Sequence, residues 1–355
     1  MNLSDFDFEL PENLIALNPL KPRDSSKLLR VNSLGDFQDS VFRNITEYLS
    51  EGDLLVVNDT RVMPSLIEGF KMNVKKELTK ISFTFFENLK NGQWKALAKP
   101  AKKINDNDLI FFKDKNGEIY NLFAQIINKN NGEVTFDFAD DHDKFIQILL
   151  NDARIMLPPY ITSKREMKAS DNNDYQTIFS KKDGSIAAPT AGLHFTEDLI
   201  KKINKKGINF QRITLNINLG TFSPLRNENV KENNLHSEHC YISEQTVKKL
   251  NEVKADKKQR IISVGTTALR CLETSYNGNE FEPINSKTNK FIYPGIEINS
   301  IDALITNFHL PKSSLFILIC ALMGTQNMLN AYNYAIKNKY RFYSYGDACL
   351  LEKRV

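Results

Sequence analysis

Residues 187–195 read AAPTAGLHF and hold one of the chain's five histidines, His194. The segment lacks helical or strand periodicity and opens onto a helix start. Small residues such as Gly192, beside the turn former Pro189, let a ligand approach the backbone closely. A histidine there can bind or exchange a proton near neutral pH. Surface loops of this kind commonly carry binding residues. The same composition also suits a tight connection whose histidine bonds to the backbone. The segment alone leaves the two readings level.

Six further polar clusters fall where strands end or helices begin. They are Asn58-Asp59-Thr60-Arg61, Leu219-Gly220-Thr221-Phe222, His236-Ser237-Glu238, Gly265-Thr266-Thr267 with Arg270, Thr306-Asn307-Phe308-His309, and the stretch 341–347 with Arg341, Tyr343, Tyr345 and Asp347. Each has a bland explanation. Asp59 and Arg61 suit a structural ion pair. Gly265-Thr266-Thr267 suits an ordinary helix cap, or an anion seat at a helix N-terminus. The aromatic run in 341–347 suits core and edge packing. His236-Ser237-Glu238 has the composition of a triad, but sequence neighbours seldom form one in space. Together the seven clusters suggest one composite site.

The elements that must position them are legible in outline. The apolar run 53–57, DLLVV, suits a strand buried on both faces. The cluster at 58–61 then sits at its C-terminal end, where α/β sheets place ligand groups. Between about 67 and 140 the texture changes to short β-rich runs at 81–86, 94–98, 109–112, 120–127 and 134–138. Asn-Gly pairs at 91–92, 116–117 and 131–132 separate several of them, the strongest short hairpin signal. A helix is predicted over 144–150. This reads as a small antiparallel β-barrel domain, 67–151, inserted into a larger mixed α/β layered domain, 1–66 plus 152–355. In that larger domain Thr196, Ser243 and Ser313 are predicted N-caps. Strands are expected at 208–217, 261–264, 302–307 and 341–345, and helices after Gly265 and over 328–338. Residues 1–30 read as turns and one brief helix.

Composition narrows the classes. The 355 residues are 41% hydrophobic and 25% charged, ordinary for a globular chain with a sizeable core. A net charge of +4 permits a polyanionic partner without requiring one. Cys240, Cys271, Cys320 and Cys349 form no C-x-x-C pair, which argues against zinc or iron–sulfur sites and for free thiols in a reducing cytoplasm. The acidic start MNLSDFDFEL lacks the apolar stretch of a signal peptide. The most apolar run, 315–323, is far shorter than the roughly 20 residues that cross a bilayer. The spacing of a P-loop is absent, and so is the G-x-G-x-x-G of a dinucleotide site.

Many motifs in order then carry a resemblance. DFDFELPENLIA, GDLLVVNDTRVMP, LPPYI, DYQTIFS, AAPTAGLHF, LGTF, HSE, VGTTALR, FIYPG, TNFHLPKSSL and YRFYSYGDA run from Leu3 to Ala348. The chain resembles the S-adenosylmethionine:tRNA ribosyltransferase-isomerases of queuosine biosynthesis. The resemblance implies transfer and isomerisation of the ribosyl part of S-adenosylmethionine onto 7-aminomethyl-7-deazaguanine at the tRNA wobble position. Epoxyqueuosine-tRNA forms, and adenine and methionine leave. It implies S-adenosylmethionine as a consumed cosubstrate, no permanently bound cofactor, no metal, an α/β domain with a small β-barrel, and a monomer. An ordinary methyltransferase is disfavoured by the missing Gly-rich turn.

A sulfonium acidifies the adjacent C5′ hydrogens of the ribose, so a base is required. The chemistry also needs fixed dipoles and exclusion of water. Histidine with a pKa near neutral is the usual base. The resemblance makes His194 and His309 the leading catalytic candidates, with Asp59, Glu238 and Asp347 as carboxylates. Substrate-binding candidates are Asn58, Thr60, Arg61, Pro189, Thr190, Gly192, Phe195, Thr221, Phe222, His236 and Ser237. Further along they are Gly265, Thr266, Thr267, Arg270, Thr306, Asn307, Phe308, Arg341, Tyr343, Tyr345 and Asp347. The arginines suit a carboxylate or the tRNA backbone. One departure stands out. Relatives commonly read L-H-V-G-x-G-T-F where this chain has Leu215-Asn216-Ile217-Asn218-Leu219-Gly220-Thr221-Phe222. Asn216 cannot serve as a base near neutral pH, which raises an alternative: a tRNA-binding relative impaired in catalysis. Asn218 is expected to keep a left-handed turn.

Overall fold

The computed structural model of the chain describes residues 1–72, 77–114, 116–130, 132–218 and 225–353. In chain order the strands are β1 (Lys27–Val31), β2 (Phe37–Val41), β3 (Leu54–Asn58), β4 (Thr60–Val62), β5 (Leu66–Met72), β6 (Leu78–Lys90), β7 (Gln93–Lys99), β8 (Leu109–Lys113) and β9 (Ile119–Asn130). They continue with β10 (Glu133–Asp137), β11 (Lys182–Ser185), β12 (Asn209–Leu215), β13 (Glu238–Ile242), β14 (Ile261–Val264), β15 (Ile284–Thr288), β16 (Ala303–Asn307) and β17 (Ala348–Glu352). Two compact units result. Met1–Arg61, Pro159–Gly184 and Ala188–Val355 form the first, and Val62–Pro158 with Ser185–Ala187 the second.

The first unit is built on a nine-stranded mixed sheet in the order β15-β13-β12-β3-β14-β16-β17-β1-β2. β12, β3, β14 and β16 run parallel. β17 runs against β16, and β1 runs parallel to β17. β13 runs against β12. Every residue of β3, β14 and β16 is buried. This is why 53–57 reads as a continuous apolar run: neither face of a central strand meets water. One core gathers Leu55, Val57, Ile262, Val264 and Ile305 from the strands with Leu199 and Ile203 from helix Glu197–Lys205.

The predicted caps form. Thr196, Ser243 and Ser313 accept hydrogen bonds from the backbone N–H of Leu199, Thr246 and Phe316 at 3.3, 3.2 and 3.1 Å. They start helices Glu197–Lys205, Glu244–Ala255 and Ser314–Met323. The helix predicted over 328–338 begins earlier, at Thr325, and the two helices at Gly324 are bent by 115°. Among the described residues no single helix is long and apolar enough to cross a membrane.

Two sequence expectations fail here. Residues 341–345 are not a strand. The last strand is Ala348–Glu352, and the stretch before it is a turn. The Asp347 carboxylate accepts the Arg341 N–H at 2.7 Å and the Lys27 N–H at 3.0 Å, while Tyr343 takes φ +75°. The alternation FYSY imitates a strand, but the carboxylate folds the backbone over itself. The first 30 residues also contain more than turns: β1 begins at Lys27 inside the sheet.

The second unit is a six-stranded antiparallel sheet in the order β10-β7-β6-β5-β8-β9, and β10 also pairs with β9, which closes the ring. Its interior is aromatic: Phe83, Phe85, Phe112, Phe136 and Phe138 meet Phe145 of helix His142–Asp152. Asn91 and Gly92 both take positive φ, 51° and 77°, as a tight hairpin turn requires. Asn131 of the third Asn-Gly pair lies outside the described residues. Arg154 exchanges backbone bonds with Leu66 at 2.8 and 2.9 Å, so the unit runs past the end of its helix.

Candidate functional site at one rim of the sheet

Strand direction decides which residues meet. The C-terminal ends of β12, β3, β14 and β16 share one rim of the nine-stranded sheet with the N-terminal ends of β13, β17 and β1. Asn216, Asn58, Gly265, Asn307, Glu238, Asp347 and Ser26 therefore collect there, although they span most of the chain. This is the topological position where open α/β sheets bind ligands.

Asn58 is the brace at the centre. It is buried, its Oδ1 accepts the N–H of Leu215 at 3.0 Å, and its Nδ2 donates to the Leu215 carbonyl at 2.9 Å. The Thr60 hydroxyl donates to Asn216 Oδ1 at 3.0 Å. The Asn216 amide also packs on Gly184, where a Cβ would come within 2.6 Å of its Nδ2. Asn216 is thus fixed as an acceptor beside Thr60. Asn218 is not among the residues with positive φ, so it does not keep a left-handed turn. Its N–H donates to Glu238 Oε1 at 3.1 Å instead.

The Asp59–Arg61 ion pair does not form. Arg61 Nε faces Asp183 at 3.6 Å with both side chains exposed. Asp59 is buried and accepts the Thr214 hydroxyl through Oδ1 at 2.7 Å. Neither Thr266 nor Thr267 caps its helix; Gly265, at φ +94°, occupies the cap position without a side chain. Thr267 Oγ1 is offered to Asn58 Nδ2 at 3.4 Å.

Glu238 and Arg270 form a buried ion pair at 2.5 Å. Arg270 Nε donates to the Lys290 carbonyl, while its Nη2 has no protein partner. Beside the pair lies a small pocket lined also by His236, Phe291 and Leu315. His236 and Ser237 are exposed, and Glu238 is committed to Arg270, so the triad composition yields no triad.

The small residues of 187–195 serve packing more than ligand access. A Cβ on Gly192 would lie 3.0 Å from Thr177 Cγ2, and one on Gly265 would lie 3.6 Å from the Ala191 Cβ. Pro189 is buried and Thr190 half-buried. Phe195 packs against Phe42, Phe179 and Phe210, and Phe308 against Tyr332, Tyr340 and Phe342, so both belong to the core. His194 alone carries a reactive side chain out of this segment. Its Nδ1 lies 2.8 Å from Ser26 Oγ and its Nε2 3.2 Å from Asn307 Nδ2. His309 is also buried, with Nε2 3.0 Å from Thr306 Oγ1 and its N–H on the Tyr332 hydroxyl.

Neither histidine has the near-neutral pKa expected of a base. Burial pushes both down to about 3, and Arg341 and Arg23 add to the effect at His194. Their imidazoles are neutral at pH 7 and weakly basic.

A second, small cavity is lined by Arg23, Ser26, His194, Arg341 and Tyr345. Tyr345 is 3% exposed and its hydroxyl has no partner. Tyr343 stacks edge-on against Tyr160 at 4.3 Å. Arg23, Ser26 and Tyr160 were not picked out from the sequence. Arg23 and Ser26 lie in a proline-containing N-terminal stretch with no motif of its own, and only the strand order brings them to the rim. Thr221 and Phe222 lie outside the described residues. No cluster that could hold a metal ion occurs among the described residues.

The whole chain matches known proteins. Residues 3–351 fit the family model described as queuosine biosynthesis protein. An S-adenosylmethionine:tRNA ribosyltransferase-isomerase of Thermosipho melanesiensis is 43% identical, over 99% of this chain and 100% of the relative. One from Halothermothrix orenii is 41% identical, again over 99% and 100%. The crystal structure of the S-adenosylmethionine tRNA ribosyltransferase of Thermotoga maritima is 32% identical and superposes with a TM-score of 0.55, covering 98% of this chain and 99% of that one.

Proposed function

The chain belongs to the queuosine biosynthesis protein family, and on that premise we propose how its own residues carry the reaction named for its relatives. It is an S-adenosylmethionine:tRNA ribosyltransferase-isomerase, the activity named for relatives 41–43% identical along their full length. In our reading the ribosyl group passes to a 7-aminomethyl-7-deazaguanine in the tRNA wobble position. Adenine and methionine leave, and epoxyqueuosine-tRNA results. The closed six-stranded unit is read as the small β-barrel of the family. The observation that carries the site assignment is the single rim: residues from seven strand ends of one sheet, six of them polar, converge there.

The first chemical need is a base for the C5′ proton that the sulfonium acidifies. Glu238 is committed to Arg270, and Asp347 to two backbone N–H groups. Among the described residues the Asp59 carboxylate is held by one side-chain hydroxyl, that of Thr214 on Oδ1, and by no ion pair, so it is less committed than Glu238 or Asp347. We assign it the proton transfer. The second need is a set of dipoles that do not reorganise during reaction. Asn58, Asn216 and Asn307 are amides held by backbone or side-chain bonds, so they supply such dipoles at the rim.

The test incubates the protein with S-adenosylmethionine and tRNA bearing the 7-aminomethyl base. Release of adenine and methionine is the expected result. Tight tRNA binding without release would favour the catalytically impaired relative, and S-adenosylhomocysteine as product would overturn both.

A further inference from the structure

The Ser26–His194–Asn307 chain has a definite hydrogen-bond direction. Asn307 Nδ2 also lies 3.2 Å from the Tyr343 carbonyl and 3.5 Å from that of Ser344. Only an N–H can face those carbonyls, so the amide nitrogen stands where it is drawn. Its second N–H then points at His194 Nε2, which must accept. The proton of the neutral imidazole therefore sits on Nδ1 and is donated to Ser26 Oγ. Ser26 receives that bond as an acceptor, so its own O–H remains for another partner. This is the reverse of a nucleophile activated by histidine.

What that hydroxyl faces is a small cavity with an anion's complement. Ser26 lines it with Arg23, Arg341 and Tyr345. The Tyr345 hydroxyl is buried and unpartnered. Arg23 is held by the carbonyls of Asn173, Asp174 and Gln176, and Arg341 by that of Asn18. Both guanidiniums are fixed mainly by neutral groups: among the described residues the one carboxylate near Arg23 is Asp174, at 3.9 Å, and the one near Arg341 is Asp347, at 3.6 Å. Two cations, two hydroxyl donors and a weakly basic, neutral imidazole leave the cavity short of negative charge.

We propose that this cavity binds an oxyanion of the substrates through Ser26, Tyr345, Arg23 and Arg341, with His194 as the residue that positions Ser26. The proposal deepens the function given above and rests on it for the identity of the ligands. The shared chemistry is a carboxylate or phosphate oxygen. Its two sources are the methionine carboxylate of S-adenosylmethionine and a phosphate of the anticodon loop. Neutrality of His194 agrees with the assignment, since burial and the two arginines disfavour its protonation.

Equilibrium binding of S-adenosylmethionine and of an anticodon stem-loop is measured separately from adenine release, on the full chain. Ser26→Ala should weaken one of the two ligands about tenfold or more, the usual effect of removing a hydrogen bond to a charged group. Ser26→Thr, which keeps the hydroxyl, should restore it. Weakening of S-adenosylmethionine identifies the carboxylate, and weakening of the stem-loop the phosphate. His194→Asn keeps an amide donor near the Nδ1 position, so it should retain turnover within about tenfold, whereas His194→Ala should raise KM for the same ligand that Ser26→Ala affects. Unchanged binding of both ligands in Ser26→Ala overturns the pocket, and so does a collapse of kcat in His194→Asn with binding intact. A wild-type protein that binds in a Ser26-dependent way but releases no adenine would instead overturn the reaction and leave the pocket standing.

Discussion

At the residue scale the chemistry turns on which side chains keep an uncommitted atom. Asp59 is held by the Thr214 hydroxyl on Oδ1, and among the described residues no cation pairs with it. Asp59→Asn preserves the acceptor that Thr214 uses and removes the proton-accepting carboxylate. Adenine release should fall about 100-fold or more, the usual contribution of a general base, while binding of S-adenosylmethionine stays within a few-fold. Turnover near that of the wild type would exclude Asp59 as the base. The candidate list drawn from the sequence contained this residue, as it contained Asn58, His194 and Asn307. It could not rank them, because commitment depends on partners far along the chain. Glu238 looked like Asp59 until Arg270, 32 positions away, took its Oε2. Phe195 and Phe308 stood among the ligand contacts because they belong to the motifs that carry the resemblance, yet their rings fill the core.

At the element scale the polar punctuation of the sequence was readable where it acts locally. A serine or threonine before an apolar-periodic stretch caps a helix through atoms three residues away, and Thr196, Ser243 and Ser313 do so. Gly265-Thr266-Thr267 looked similar, but the backbone there takes φ 94° and ψ 152°, a region that essentially only glycine occupies. The glycine is required by conformation, since a Cβ would find its nearest neighbours at 3.6 and 3.7 Å. Gly265→Ala should therefore cost about 1–3 kcal/mol from backbone strain alone. Urea unfolding checks this; a loss below about 0.5 kcal/mol would mean that the turn relaxes without strain. The stretch 341–345 misled for the converse reason. Its alternation is local, but Asp347 and Lys27 fix its path through hydrogen bonds that no local pattern encodes.

At the scale of the whole molecule, strand order was the illegible part. The two-unit texture follows from Asn-Gly turns against helix caps, whereas the placing of β1 beside β17 depends on residues more than 300 positions apart. That placing carries Ser26 to His194 and buries the histidine. Burial at His194 and His309 has a consequence for the whole fold. Both have pKa values lowered to about 3, against about 6.5 for histidine in an unfolded chain. As pH falls below about 6.5 the unfolded chain takes up protons at both positions and the folded chain does not, until about pH 3. The stabilisation is complete above about pH 6.5 and is lost progressively toward pH 3, by up to about 1.4 kcal/mol per pH unit for each histidine. Asp347 opposes this, because burial raises its pKa and protonation in the folded state then favours folding as pH falls. The histidine contribution is isolated by comparing the wild type with His309→Gln in urea at pH 7.5 and pH 5.0. The wild-type midpoint should drop on acidification, and the variant should drop by clearly less. An equal drop in both proteins would mean that His309 is protonated as easily in the folded chain as in the unfolded one.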